Sequence, residues 1–521
     1  MFLKVEEMKM QFILAIDSGS TGLRAVIFNK KGEIVAHEYE KTTALYPEVG
    51  WIEHDPLNLW HSLLAVVNRI FERKDVSPKD IAAIGIANQR ASFTLWERES
   101  GDPIINFINW ADVRAAETCN QMNKNKRWRL LKKFAWVASK ATGNTMLTAT
   151  SMLNFTTDHV TTRLKWVLDH TNGLRKRCKK GEIAFGTIDT WLIYQLTGGK
   201  VHATDYSNAA SGLLNPFELK WNNILFSIFD IPFEILPELK DTNGNYGKTD
   251  PTLFQGAEIP IRAACGDQQA ALFGQCCFGQ GDVKISQGSG SFVDMNVGEK
   301  GKLSKRGLFP LIAWVIDGKG TYMLEGFVAT AGTLIDWLGQ GIGLSNTPKT
   351  LNEYAAKCED TEGVIFIPTP SGIRFPYFSP NARGTILGLS LSTHRSHVAR
   401  AVFEGIALRL VDILEGLEKD TKIPIRSLRA DGGVSKSDIM LQCLADLANL
   451  EVIRAPEPDM TVTGAAYLAG LSVGFWQDRN QLQEIYSSLN PKHFYPQMER
   501  QKRIAKVTRW KKALEAILSI D

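Results

Sequence analysis

Between Gly266 and Phe292 the chain reads G-D-Q-Q-A-A-L-F-G, then a short polar break, then V-K-I-S-Q-G-S-G-S-F. Asp267 follows the apolar run Ile261 to Cys265. That is where an open α/β sheet presents groups to a ligand, just outside the carboxyl end of a strand. A second strand then breaks into Gly288-Ser289-Gly290-Ser291, a turn whose backbone N–H groups and hydroxyls suit a phosphate. A carboxylate in hydrogen-bond reach is enough to take the proton of an acceptor hydroxyl. Phosphoryl transfer otherwise needs positioning and charge stabilisation. The pattern therefore predicts phosphoryl transfer to a small molecule, with Asp267 as general base.

A related pattern opens the chain. Phe12 to Ile16 is a short apolar strand ending at Asp17, followed by the turn Ser18-Gly19-Ser20-Thr21-Gly22 and a second strand, Arg24 to Phe28. Glycine and serine favour any turn, so this hairpin alone is unremarkable. Its likeness to the hairpin at 282–293 predicts a duplicated architecture with one phosphate loop in each half. Ser20, Thr21 and Ser289 become candidate phosphate contacts, and Gly332 and Gly433 candidate positions that leave room for a nucleotide. Asp17 and Asp267 are the candidate carboxylates for Mg²⁺, which keeps several waters and few protein ligands. Arg90, delivered by the buried run Ile81 to Ala87, is a candidate hydroxyl ligand because a guanidinium holds its donors in a fixed fork; a surface Arg is the plain alternative. Trp110, at the end of a strand expected over 104–110, is a candidate pocket wall or a core residue. No G-x-x-x-x-G-K-[ST] pattern occurs, which argues against a P-loop enzyme, and no H-R-D or D-F-G set occurs.

These residues need elements to hold them. Asp55-Pro56 is a helix start, and Trp60, Leu63, Leu64, Val67, Ile70 and Phe71 form its apolar face. Helices are expected over 163–170 and 187–196, a long one capped by Ser396, and one over 463–474 rich in small residues. Loops are expected at 143–157 and over most of 232–260. The polar run Thr204 to Asn208 is expected to face a cleft. Strand, Gly432-Gly433, then helix is a further place for a phosphate or flat group to approach a backbone.

A chain of 521 residues is too long for one core. Two domains are expected, at 10–275 and 276–521. The 44% hydrophobic and 22% charged residues are those of an ordinary globular protein. A formal charge of +4 makes no demand for nucleic acid. No apolar run approaches the roughly 20 residues of a membrane span. Met1 to Met10 has no apolar core, which argues against a secretory signal. Seven scattered cysteines match no metal spacing and suit a reducing, cytoplasmic setting. The stretch 124–140, K-N-K-R-W-R-L-L-K-K-F-A-W-V-A-S-K, is basic with interleaved aromatics. It reads as a solvated helix with one docked face; the sharper alternative is a helix lying on an anionic membrane surface.

The residues quoted above, together with A-I-D-S-G-S-T (15–21), L-Y-P-E-V-G-W-I-E-H-D-P (45–56), I-G-I-A-N-Q-R (84–90), F-G-T-I-D-T-W-L-I (185–193), G-T-I-L-G-L (384–389), D-G-G (431–433) and A-A-Y-L-A-G-L-S-V-G-F-W (465–476), resemble the FGGY family of carbohydrate kinases, and within it the glycerol kinases. The stretch T-A-T-S-M-L-N-F-T-T (148–157) looks like the animal branch called glycerol kinase 5. The resemblance implies an α/β protein of two ribonuclease-H-like, actin- and hexokinase-type domains with a central cleft that closes on Mg-ATP. It implies phosphorylation of glycerol to sn-glycerol 3-phosphate. By the same carry-over Asp267 is base and glycerol ligand, and Arg90, Gln268, Trp110 and Phe292 hold glycerol. Ser20, Thr21, Arg24, Ser289, Gly332, Gly433 and Ser437 fall on nucleotide contacts. A homo-oligomer is expected. The chain departs from the family pattern at Ala91 (Glu in N-Q-R-E), at Asp158 (near the family's glycerol-binding Tyr), at Asp336 (Gln), at Ser437 (Asn) and at Ser289 (Thr). Another polyol or sugar as substrate, or a weakly active regulatory protein of the same fold, are the alternatives.

Overall fold

The computed structural model describes residues 11–73, 75–457 and 459–520; the reading of Met1 to Met10 falls outside them. By packing, the chain forms two compact units. The first runs to Gly274 and takes in Ile312–Gly320 and Thr461–Leu482. The second comprises Gln275–Leu311, Thr321–Met460 and the chain from Gln483 onward. The linear division at 275/276 thus differs from the packing at two later stretches.

The first unit is built on a five-stranded sheet in the order Ile261–Gly266, Ile81–Asn88, Phe12–Ser18, Gly22–Phe28, Ile34–Lys41. The hairpin partners of Phe12–Ser18 run antiparallel, and Ile81–Asn88 and Ile261–Gly266 run parallel to it. Ile13 to Ser18 and all of Ile81–Asn88 are buried, which is why both read as unbroken apolar runs and not as alternation. The Pro56–Phe71 helix covers this sheet, its first turn capped by the Asp55 carboxylate, which accepts from the backbone N–H of Leu57 and Asn58.

The second unit repeats the plan. Its seven-stranded sheet runs Phe309–Ile316, Lys319–Val328, Ser291–Gly298, Asp282–Gln287, Ser427–Asp431, Val452–Arg454, Lys492–Phe494. Again two antiparallel pairings precede two parallel ones. With the edge strands Phe309–Ile316 and Lys492–Phe494 set aside, both sheets have the order third, second, first, fourth, fifth, so the expected duplication is present in the topology. The Arg395–Thr421 helix runs through this unit's core.

Several local expectations are corrected. The run at 104–110 is a strand only at Phe107–Ile108; the neighbouring Phe93–Glu97 carries the longer pairing, with Ile183–Thr187. The supposed loop at 143–157 contains the Thr145–Met152 helix, nucleated by Asn144, whose side chain accepts from Leu147 N. The long helix is capped by His394, not Ser396. Thr204 to Asn208 does not present its polar side chains to an opening: Thr204, Asp205, Ser207 and Asn208 are all buried.

Candidate active site

In the first unit three strand ends converge. Phe12–Ser18 brings Asp17, Ile81–Asn88 brings Gln89 and Arg90 just past its end, and Ile261–Gly266 brings Asp267 as the first residue of the Asp267–Gly274 helix. The Arg90 guanidinium lies 3.8 Å from Asp267 Oδ1 and that of Arg24 3.6 Å from Asp17 Oδ2. Burial pushes the Asp17 carboxyl up to about 7; Arg24 opposes the rise and the like charge of Asp267 adds to it. Asp17 Oδ1 is buried without a hydrogen-bond partner among the described residues. Asp267 Oδ1 accepts from the backbone N–H of Gln268 at 2.7 Å.

The rim is tied by polar side chains. Ser20 Oγ donates to Gln89 Oε1 at 3.0 Å, and Trp110 Nε1 donates to Ser20 Oγ at 3.3 Å. Asn109 Nδ2 reaches the same Gln89 oxygen at 3.1 Å. Trp110 itself is exposed, which removes the core alternative. Thr21 stands in the turn with its side chain exposed; its carbonyl accepts from Thr42 N at 3.2 Å.

In the second unit the turn at 288–290 sits under the start of the Gly332–Gln340 helix. Gly332 N donates to Gly288 O at 3.0 Å, and Ala331 N and Thr333 N donate to Ser289 O at 2.9 and 3.2 Å. A Cβ on Gly332 would stand 2.6 Å from Gly288 O, so only glycine permits this approach. Gly433 has open space around its Cβ position; the sterically required glycine is its neighbour Gly432, with φ +89° and Gln287 O 2.5 Å from a Cβ. Ser437 caps the Asp438–Ala448 helix, accepting from Met440 N at 3.1 Å, and donates to Asn352 Oδ1. Phe292 packs on Phe327, ring centroids 4.6 Å apart. Among the described residues no group of three or more His, Cys, Asp or Glu is placed to hold a metal.

A family model for the N-terminal domain of the FGGY family of carbohydrate kinases matches residues 12–274, and the C-terminal model of that family matches 283–473. The chain belongs to the FGGY family of carbohydrate kinases. It is 41% identical over 509 residues to "Glycerol kinase" of Francisella philomiragia subsp. philomiragia, covering 98% of this chain and 99% of that protein. It is 40% identical over 510 residues to "Glycerol kinase" of Thermus thermophilus, with the same coverages. The crystal structure of Plasmodium falciparum glycerol kinase with ADP superposes with a TM-score of 0.87 at 32% identity, over 98% of this chain and 99% of that one. Gluconate kinase from Lactobacillus acidophilus, at 22% identity and a TM-score of 0.81, shares the fold.

Within this FGGY chain, sequence reasoning passed over the groups that hold the site residues in place. Arg163, on the Val160–His170 helix, is fully buried. It donates to four carbonyls: Ala91 at 2.9 Å, Asp158 at 2.8 Å, Asn109 at 2.7 Å and Ile108 at 3.2 Å. Ala91 has φ +62°, a conformation an alanine adopts only when its surroundings enforce it, and the Arg163 bond to its carbonyl is part of that enforcement. Asp205 forms a second anchor. It accepts from Ser207 Oγ at 3.0 Å and Asn208 Nδ2 at 2.9 Å. Ser207 Oγ in turn accepts from Gly266 N, and Asn208 exchanges side-chain bonds with Asn88. One buried carboxylate thereby ties the residues preceding Asp267 and Gln89. Burial, then the neighbouring charge of Asp189, raises Asp205 to about 7. The run T-D-Y-S-N was a signal for this anchor; an arginine in a helix gave none for Arg163.

Proposed function

We propose that this chain transfers the γ-phosphoryl group of ATP to the terminal hydroxyl of glycerol, giving sn-glycerol 3-phosphate. Its similarity to glycerol kinases over nearly the whole chain supports the reaction. The single observation that carries the site is Asp267 at a strand-to-helix junction, beside the Arg90 guanidinium.

In this reading Asp267 accepts the proton of the attacking hydroxyl. Arg90 and Gln268 hold the other hydroxyls, and Trp110 and Phe292 bound the carbon chain. Ser20, Thr21, Arg24 and Ser289 take phosphate oxygens. Gly332 and Gly433 leave space for the nucleotide, with Ser437 beside it. Mg²⁺ would neutralise charge on the phosphates. Asp17, whose buried Oδ1 has no hydrogen-bond partner among the described residues, has the acceptor capacity for such a cation or its water, and Asp267 is the second carboxylate. The seven cysteines are all free and six are buried, which fits a cytoplasmic protein.

The test is a panel of glycerol, longer polyols and sugars with ATP, read by ADP release. Glycerol is expected to give the highest kcat/KM. A larger polyol or a sugar ahead of it would replace glycerol as substrate, and no turnover with any member would make the chain a regulatory protein of kinase fold.

A further inference from the structure

The Lys126–Thr142 helix has two apolar faces, and only one is used. Trp128, Ala135 and Ser139 point into the first unit, where Trp128 packs on Phe155 and Phe229. A solvated helix should be polar on the opposite side. Here Leu130, Phe134 and Val137, spaced at helical intervals, are 70%, 66% and 60% exposed, and Trp136, further round the helix, is 57% exposed. Three large apolar side chains on one helix face form a patch that isolated exposed residues do not.

The charge around this patch has one sign. Between Glu117 and Asp158 the chain contains no acidic residue and seven basic ones: Lys124, Lys126, Arg127, Arg129, Lys132, Lys133 and Lys140. None of the seven forms an ion pair among the described residues. On the helix wheel Lys126, Arg129, Lys133 and Lys140 flank the Leu130–Phe134–Val137 stripe on the side that carries Trp136.

We propose that the Lys126–Thr142 helix docks this protein onto an anionic lipid bilayer, with Leu130, Phe134 and Val137 entering the headgroup boundary and the flanking Lys and Arg meeting lipid phosphates and carboxylates. Apolar side chains beside a basic border are what an interfacial helix needs, neither part being sufficient alone. A second copy of this chain fits poorly. Its equivalent face would bring Lys126, Arg129, Lys133 and Lys140 against the same four cations, with no carboxylate on the helix to pair them. An acidic protein partner remains as an outcome of the test.

The experiment uses the full chain and sedimentable vesicles of phosphatidylcholine alone or of equimolar phosphatidylcholine and phosphatidylserine. The protein should pellet with the anionic vesicles, not with the neutral ones, and release at high salt. The double variant L130S/F134S should lose at least about tenfold in vesicle affinity while keeping its circular dichroism and its kinase turnover. Tryptophan emission should shift to the blue on anionic vesicles and be quenched by brominated lipid; in W136F both effects should shrink. Equal pelleting of parent and double variant overturns the proposal, as does failure to bind anionic vesicles, which would leave the face to an acidic protein. A parent that is oligomeric by light scattering, and monomeric as L130S/F134S, assigns the face to self-association and also overturns it.

Discussion

Arg163 places a full positive charge inside the first unit and spends it on four backbone carbonyls, those of Ala91, Ile108, Asn109 and Asp158. Two of these carbonyls, those of Ala91 and Asn109, belong to the chain neighbours of Arg90 and Trp110. Replacing Arg163 by Met is expected to leave them unpaired and cost about 3 kcal/mol of stability, read as a lower urea midpoint, and to raise the KM for glycerol about tenfold. A glycerol KM that did not change would separate Arg163 from the substrate site. Asp267→Asn is expected to lower kcat by about 10²–10⁴ while ATP binding, measured by calorimetry, persists. Normal turnover would place the base elsewhere. Asp17 yields a pH prediction with a definite sign. Its folded carboxyl lies at about 7, above its ordinary 3.8, so the folded state holds the proton more tightly. The associated stability is present below about pH 4 and is lost as pH rises through 7. In urea melts without metal, Asp17→Asn should therefore gain stability relative to the parent between pH 4 and 7, and the difference should be level above that range. A flat difference across the range would mean that Asp17 is already ionised at low pH. At this scale the sequence named the ends of strands well: Asp17, Arg90 and Asp267 were identifiable because each terminates an apolar run. Arg163 was not, since the carbonyls of Ala91, Ile108 and Asn109 lie more than fifty residues away along the chain.

Among the elements, the Met460–Ser472 helix shows why small residues matter. A Cβ on Gly464 would land on the carbonyl oxygen of Ala270, and one on Gly85 on that of Ala465. The helix thus lies against the Asp267–Gly274 helix and the Ile81–Asn88 strand at backbone contact, close to the residues that carry Arg90 and Asp267. Gly464→Ala should force these elements apart and destabilise the first unit by about 1–3 kcal/mol, seen as a lower melting temperature. If the alanine variant melted as the parent does, the contact would be slack. Buried strands were legible because both faces are apolar. The Thr145–Met152 helix was not: its side chains are mostly Thr, Ser and Met, which carry no helical stripe, and only the cap at Asn144 marked it. The Phe93–Glu97 strand was missed because its apolar run is short and begins right after the Arg90–Ser92 turn.

For the whole molecule, the first unit is not a continuous piece of chain. It includes Thr461–Leu482, where Trp476 Nε1 donates to Lys30 O at 2.9 Å and Arg479 stacks near Phe273 and Trp314. A fragment ending at residue 275 is expected to lack near-ultraviolet circular dichroism and to recover it when 461–482 is supplied in the same chain. A fragment 1–275 that melts cooperatively by itself would contradict this. The sequence alone determined the duplicated strand–turn–strand plan, the family and the residues at the strand ends, because apolar runs and small-residue turns are written locally and every such segment must bury or expose what it carries. Which later segment completes the first unit, which buried charge holds the turn at Ala91, and which apolar stripe of the Lys126–Thr142 helix stays uncovered were decided only by tertiary packing. Those depend on partners tens to hundreds of residues distant, and no local pattern records which surface the folded chain will leave bare.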